Sequence, residues 1–153
     1  MKPGTFSKDL SPLLNAQEVT ALMREVYPQL GREYSIVDVK PGYCLARLEA
    51  DERHLRPGDT VSGPTLFTLA DIGGYGCALS HIGPEALAVT VNLNINFMRK
   101  AGPGLVEAEC SILKLGKNLL VFDAALYWRK DNALVAHATG TYSLPKNKNR
   151  EVK

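Results

Sequence analysis

Residues 62–80 read SGPTLFTLADIGGYGCALS, and the single charged side chain in them is Asp71. Ser62 or Gly63 is placed to cap a helix, and Pro64 falls in a first turn, where a missing N–H is tolerated. From there Leu66, Phe67, Leu69, Ala70, Ile72, Cys77, Ala78 and Leu79 cover nearly the whole circumference, and a helix apolar all round is a buried one. Gly73, Gly74 and Gly76 each cost a helix about 1 kcal/mol against alanine, so they predict the close approach of another backbone or room for a ligand. Asp71 lies seven residues past Pro64, roughly 10 Å beyond the helix start at 1.5 Å per residue. The dipole's benefit to an anion dies away within the first turn and does not explain it. Two readings of the carboxylate follow. Structurally, it sits at an exposed edge or pairs with Arg53 or Arg56; functionally, it is a partly desolvated base or nucleophile facing a cleft.

The flanks predict what buries this helix. Within residues 87–105, LAVTVNLNINFMRKAGPGL, nine alternate strictly: Val89, Val91, Leu93, Ile95 and Phe97 on one face, Thr90, Asn92, Asn94 and Asn96 on the other. That period of two is the strongest strand signal in the chain. Three further strands follow, with turns at 115–118 and 130–132. Upstream, Val19, Leu22, Met23 and Val26 repeat at helical spacing, predicting an amphipathic helix over about 15–30 that Pro28 frays. A hairpin follows, turning at Pro41-Gly42, with Val37 and Val39 sharing one face and Cys44, Ala46 and Leu48 another. Residues 51–61 are a polar loop. The expected class is α+β: an N-terminal helix, a hairpin, a long central helix, then four antiparallel strands, all in one domain over 1–145 with a basic tail at 146–153.

Composition narrows the function. The chain has 153 residues, 45% hydrophobic and 22% charged, with a net charge of +2; a nucleic-acid binder is expected to be more basic, with its charge in a stripe. There is no apolar run long enough for a membrane span, and the opening residues lack that of a signal peptide, so a cytoplasmic protein is expected. Cys44, Cys77 and Cys110 are odd in number and widely spaced, which reads as buried free thiols. No His, Cys or carboxylate pair has metal-ligand spacing, and neither Gly-x-Ser-x-Gly nor Gly-x-Gly-x-x-Gly is present, so neither a metal, a serine triad nor a dinucleotide cofactor is expected.

Gly63-Pro64 followed by Leu69-Ala70-Asp71 at the head of a buried helix, and then the alternating strand AVTVNLNINFMRKA, resemble the hotdog-fold acyl-CoA thioesterases, specifically the phenylacetyl-CoA thioesterase-like (PaaI-type) branch, over about residues 43–144. The resemblance implies a long helix wrapped by a curled antiparallel sheet and hydrolysis of an acyl-CoA or acyl-carrier thioester. It implies Asp71 as general base or nucleophile and the Gly63 amide as oxyanion donor. Ser62 stands where the family usually has His, and Arg56 where it usually has Asn or Gln near the attacked carbonyl; both enter the candidate catalytic set. Pro64, Thr65, Tyr75, His54, Asn96 and Lys117 are the substrate-binding candidates, Lys117 because its turn resembles the family's Gly-Arg turn near the nucleotide. Arg99, Lys100, Lys114 and Lys130 are weaker candidates for the same phosphates. A non-catalytic acyl-CoA-binding or regulatory module is the alternative reading, and the Ser62 and Arg56 departures are what separates it from an enzyme.

Asp71 and Gly63 are eight helical steps apart, roughly 12 Å, whereas a base and an oxyanion donor each come within about 3 Å of one reacting group. If they cooperate, Asp71 of one subunit meets Gly63 of another. The strand at 88–98, an aggregation liability if unpaired, is the expected joining edge of a homodimer, alone or doubled into a tetramer.

Overall fold

A computed structural model describes residues 10–146; all of the basic tail but Lys146 lies outside them. Helix α1 spans Ala16–Val26, started by Asn15, whose side chain accepts from Glu18 N–H while Glu18 returns a bond to Asn15 N–H, a reciprocal cap. It ends at Val26, short of the expected Leu30, because Tyr27 precedes Pro28 and a residue before proline is pushed out of the α region. Val19 and Met23 are its buried positions.

Strands β1 (Tyr34–Lys40) and β2 (Tyr43–Ala50) form the expected hairpin, with Gly42 at φ 70° in the turn, where Pro-Gly is favoured. One detail differs from strict alternation. Ile36 opposes Ala46 and Asp38 opposes Leu45, so Val37 is the extra residue of a bulge; Tyr34 and Ile36 face the core, and Val37 and Val39 do not share a regular face. The outer edge of β1 is closed by α1: Thr20 Oγ1 donates to Ile36 O and accepts from Ile36 N–H, both at 2.9 Å, standing in for a neighbouring strand.

Residues 51–61 are more ordered than a polar loop. A 3₁₀ turn at Glu52–His54 leads into a small hairpin, β3 (Leu55–Arg56) and β4 (Thr60–Val61). Helix α2 then runs Gly63–Ile82 with Ser62 as its N-cap, followed by β5 (Val89–Phe97), β6 (Gly104–Leu115), β7 (Leu119–Trp128) and β8 (Ala133–Ser143). The six long strands make one antiparallel sheet in the order β1-β2-β6-β7-β8-β5, and every one of them packs against α2. The helix is thus the core around which the sheet closes. Its glycines make room for sheet side chains rather than for a backbone or ligand: a Cβ at Gly73 would strike Cys110 Sγ, one at Gly74 the Phe122 ring, and one at Gly76 Ile36 Cδ1.

The three cysteines are free and buried, as expected; Cys77 Sγ donates to Cys44 Sγ at 3.4 Å and Cys44 Sγ to Gly73 O at 3.1 Å. Among the described residues no helix is long and apolar enough to cross a membrane, and no group of three His, Cys, Asp or Glu is placed to hold a metal.

His81, near the end of α2, is buried as a neutral ring. Gly42 N–H donates to its Nε2 at 3.0 Å and its Nδ1 lies 3.1 Å from Cys77 O, so Nδ1 carries the proton. Burial, only partly opposed by backbone contacts, holds its pKa below the usual 6.5. A lowered folded-state pKa means that the unfolded chain binds the proton first as pH falls. Stability is therefore expected to be full above about pH 6.5 and to decline as pH drops from there toward the folded-state value. The urea midpoint at pH 7.5 and pH 5.5 measures this, and His81→Gln is expected to flatten the difference.

Candidate active site

Asp71 sits two turns into α2, half-buried, at the wall of a cleft of about 280 Å³. Val26 and Tyr27 from the end of α1, Ile72 and Tyr75 from α2, and Ala86, Ala88 and Val89 from the segment entering β5 form its apolar and aromatic lining. The carboxylate meets neither Arg53 nor Arg56. Its Oδ1 accepts from Thr90 Oγ1 at 2.6 Å and from Tyr142 OH at 2.7 Å, and the same phenol lies 2.9 Å from the Asp71 carbonyl oxygen. Burial, with the Asp71 charge beside it, pushes the Tyr142 pKa well up, so this phenol stays a donor. Oδ2 has no hydrogen-bond partner among the described residues. One oxygen is therefore clamped by two hydroxyls and the other is left to act.

Neither Thr90 nor Tyr142 follows from the motif. Strict alternation puts Thr90 on the face of the asparagines, away from the helix, but β5 is bulged: Thr90 opposes Tyr142 and Asn92 opposes Thr141, with Val91 as the extra residue. The bulge turns Thr90 inward beside Tyr142 while keeping Leu93 and Ile95 packed on the core. Val89 and Val91, expected on the core face, are 58% and 57% exposed. Tyr75 stacks on Tyr142 with ring centroids 6.0 Å apart, and its hydroxyl donates to Ala86 O at 2.8 Å. That bond ties the loop before β5 to the wall of the cleft.

The other end of α2 forms a second cleft, about 420 Å³, lined by Arg56, Thr60, Val61, Gly63, Leu66, Phe97, Met98, Arg99 and Lys100. Ser62 Oγ accepts from Thr65 N–H at 3.3 Å and bonds Thr65 Oγ1 at 2.8 Å; Leu66 N–H donates to Ser62 O. Pro64 has no N–H. Among the described residues the Gly63 N–H is thus the donor left over in this first turn, at the positive end of the helix. Ser62 and Thr65 are occupied in capping.

The remaining candidates lie apart from both clefts. His54 is buried, its Nδ1 accepting from Asp51 N–H at 2.9 Å and its Nε2 3.0 Å from Glu33 Oε2; it braces the turn that delivers Arg56. Asn96 is exposed on β5, and Lys117 is exposed in the β6–β7 turn. The chemistry-bearing residues of one chain are consequently divided between the two ends of α2. A carboxylate with a free oxygen lies in an apolar cleft, and an unoccupied amide lies in a cationic one.

The family described as Thioesterase superfamily matches residues 58–136, the span holding Gly63, Asp71 and Thr90. A candidate esterase of Pseudomonas aeruginosa is 38% identical over 66% of this chain and 75% of its own length. The crystal structure of a candidate thioesterase from Silicibacter is 42% identical, with a TM-score of 0.82 over 90% of this chain and 96% of that one. The PaaI protein of the E. coli phenylacetic acid degradation operon, at 18% identity, shares the fold with a TM-score of 0.71 over 88% of this chain and 98% of its own.

Proposed function

Because the chain belongs to the thioesterase superfamily, with the hotdog architecture of PaaI-type proteins, we propose that it hydrolyses an acyl-CoA thioester in a site shared by two subunits. The observation that carries this reading is the Asp71 carboxylate, clamped at Oδ1 by Thr90 and Tyr142 with Oδ2 unpartnered beside an apolar cleft. Oδ2 takes a proton from water as it attacks the thioester carbonyl, or attacks that carbonyl itself. The oxyanion that forms is met by the Gly63 N–H at a helix N-terminus. The thiolate leaves with little need of an acid; on the nucleophilic route water then opens the Asp71 acyl anhydride and restores the carboxylate, and on both routes acid plus free thiol are the products.

The geometry of β5 supports this subunit arrangement. The strand is an outer one of the sheet, nine residues long, with Val89, Val91 and Phe97 each more than half exposed. Such an edge calls for a partner, and antiparallel pairing with its own copy satisfies a two-fold axis. Thr90 at the start of β5 holds Asp71, while Phe97 at its end lies against Gly63. Antiparallel self-pairing sets the start of one β5 beside the end of the other, and so carries Asp71 of one subunit toward Gly63 of its partner. The three buried thiols fit a reducing, cytoplasmic setting.

Release of free thiol from aryl, short, medium and long acyl-CoA esters tests the reading. Saturable turnover of one class supports it. Tight binding of an ester without turnover replaces it with the binding-module alternative that the Ser62 and Arg56 departures raised.

A further inference from the structure

The cleft around Gly63 carries more positive charge than its surroundings neutralise. Arg56, Arg99 and Lys100 all line it, and among the described residues no acidic one does. Arg99 is paired with Asp131 at 3.1 Å. The Arg56 guanidinium makes its hydrogen bond to the neighbouring Pro57 carbonyl at 3.2 Å, and among the described residues no carboxylate pairs with it or with Lys100. β3 and β4 set Arg56 opposite Thr60, and Ser62 N–H is bonded back to His54 O at 2.9 Å. The guanidinium is therefore carried on a braced hairpin immediately before the helix start, not on a free loop.

An unpaired guanidinium in a binding cleft is a carboxylate or phosphate reader. Coenzyme A offers phosphates, but in the wrong place. About thirteen bonds separate the thioester sulfur from the nearest phosphorus, roughly 15 Å at the ~1.2 Å per bond that an extended chain advances. Arg56 and Gly63 line the same cleft, so with the carbonyl at the Gly63 N–H the guanidinium lies beside the reacting end of the substrate and far from the carrier's phosphates. With the carbonyl at Gly63, the carrier's phosphates lie outside the reach of Arg56. What lies inside it is the acyl group.

Building on the thioesterase reading above, we propose that the preferred acyl group bears a carboxylate of its own, so that the substrate is a mono-thioester of a short dicarboxylic acid whose free carboxylate is read by Arg56. Lys100 adds to the field that draws the anion in, and offsets the repulsion that Asp71 exerts on a second negative charge in the shared site. Because Arg56 and Gly63 share one cleft, the chain between the two carbonyl carbons is short.

The test compares glutaryl with pentanoyl and adipyl with hexanoyl thioesters, each on coenzyme A and on N-acetylcysteamine, which has no phosphate. The wild type is expected to favour the acidic member of each pair by about tenfold or more in kcat/KM on both carriers. Arg56→Ala is expected to cost the acidic esters about ten- to a hundredfold more than the neutral ones, the scale of losing a hydrogen-bonded charge pair, and Arg56→Lys to recover part of it. Equal or better turnover of the neutral esters by the wild type overturns the proposal. So does a loss in Arg56→Ala that is the same for both members of a pair. If that uniform loss appears on coenzyme A alone, Arg56 reads the carrier's phosphate; if it appears on both carriers, Arg56 serves Asp71 or the carbonyl. Absence of any hydrolysis sinks the thioesterase reading instead. Calorimetric affinities of non-hydrolysable glutaryl- and pentanoyl-CoA analogues then still decide whether an acidic acyl group is preferred.

Discussion

Asp71→Asn is expected to lower kcat for thioester hydrolysis by about 10² to 10⁴, the contribution of a positioned general base, while leaving the thermal midpoint nearly unchanged. The substitution isolates chemistry from folding because of how the side chain is held. Thr90 and Tyr142 both donate to Oδ1, and an asparagine carbonyl oxygen accepts the same two bonds. Its amide replaces Oδ2, which has no intramolecular partner to lose among the described residues. The proton acceptor disappears and the clamp survives. In free-energy terms the barrier rises by about 3 to 5 kcal/mol. Single-turnover and steady-state thiol release on the same ester separate this from a binding defect, since KM is expected to move little. If Asp71→Asn keeps more than a tenth of wild-type kcat, the base lies elsewhere and the clamped carboxylate serves only to hold α2 against β5 and β8.

The parts of this arrangement differ in how plainly the sequence shows them. Ser62, Pro64 and the all-round apolar run of 66–79 announce a buried helix, because capping and amphipathicity are local and act within a few residues. The edge strand is as legible from its alternation. The clamp on Asp71 is not. It depends on Tyr142, which is far away in the chain and paired through sheet register, and on a bulge at Val91 that breaks the alternation used to read the strand. A period of two carries no signal for one extra residue, so the alternation places Thr90 on the outer, polar face. The same limit hides the bulge at Val37. What the pattern offered was weaker: Thr90 is the one hydroxyl in a polar face of asparagines. His54 shows the converse limit, since a histidine in a polar loop gives no sign that Asp51 and Glu33 will engage both of its nitrogens.

The proposed shared site makes its sharpest demand through Gly63→Pro. Proline deletes the one amide hydrogen that the first turn leaves over, yet it suits the first helical position. Ser62 is already extended at φ −69° and ψ 152°, as a residue before proline must be. A Cβ at position 63 would meet nothing closer than the Phe97 ring at 3.4 Å. Position 63 is itself helical and precedes Pro64, where a Cβ is disfavoured, so Gly63→Ala, which adds that Cβ but keeps the N–H, is the control for folding; relative to it Gly63→Pro is expected to lose about 10² to 10³ in kcat, the range for removing one oxyanion donor. Co-refolding Gly63→Pro with Asp71→Asn at equal amounts then distinguishes a shared site from one built within a chain. Half of the dimers formed at random are mixed, and each mixed dimer unites an intact Asp71 with an intact Gly63 at one of its two sites, so about a quarter of wild-type activity is expected to return. Either variant alone stays near a hundredth or below. A site contained in one chain regains nothing on mixing, because every chain in the mixture lacks one of the two groups. Recovery of activity from two inactive chains thus requires that the carboxylate held by Thr90 at one end of β5 work across the subunit boundary on a carbonyl bound at the other end of its partner's.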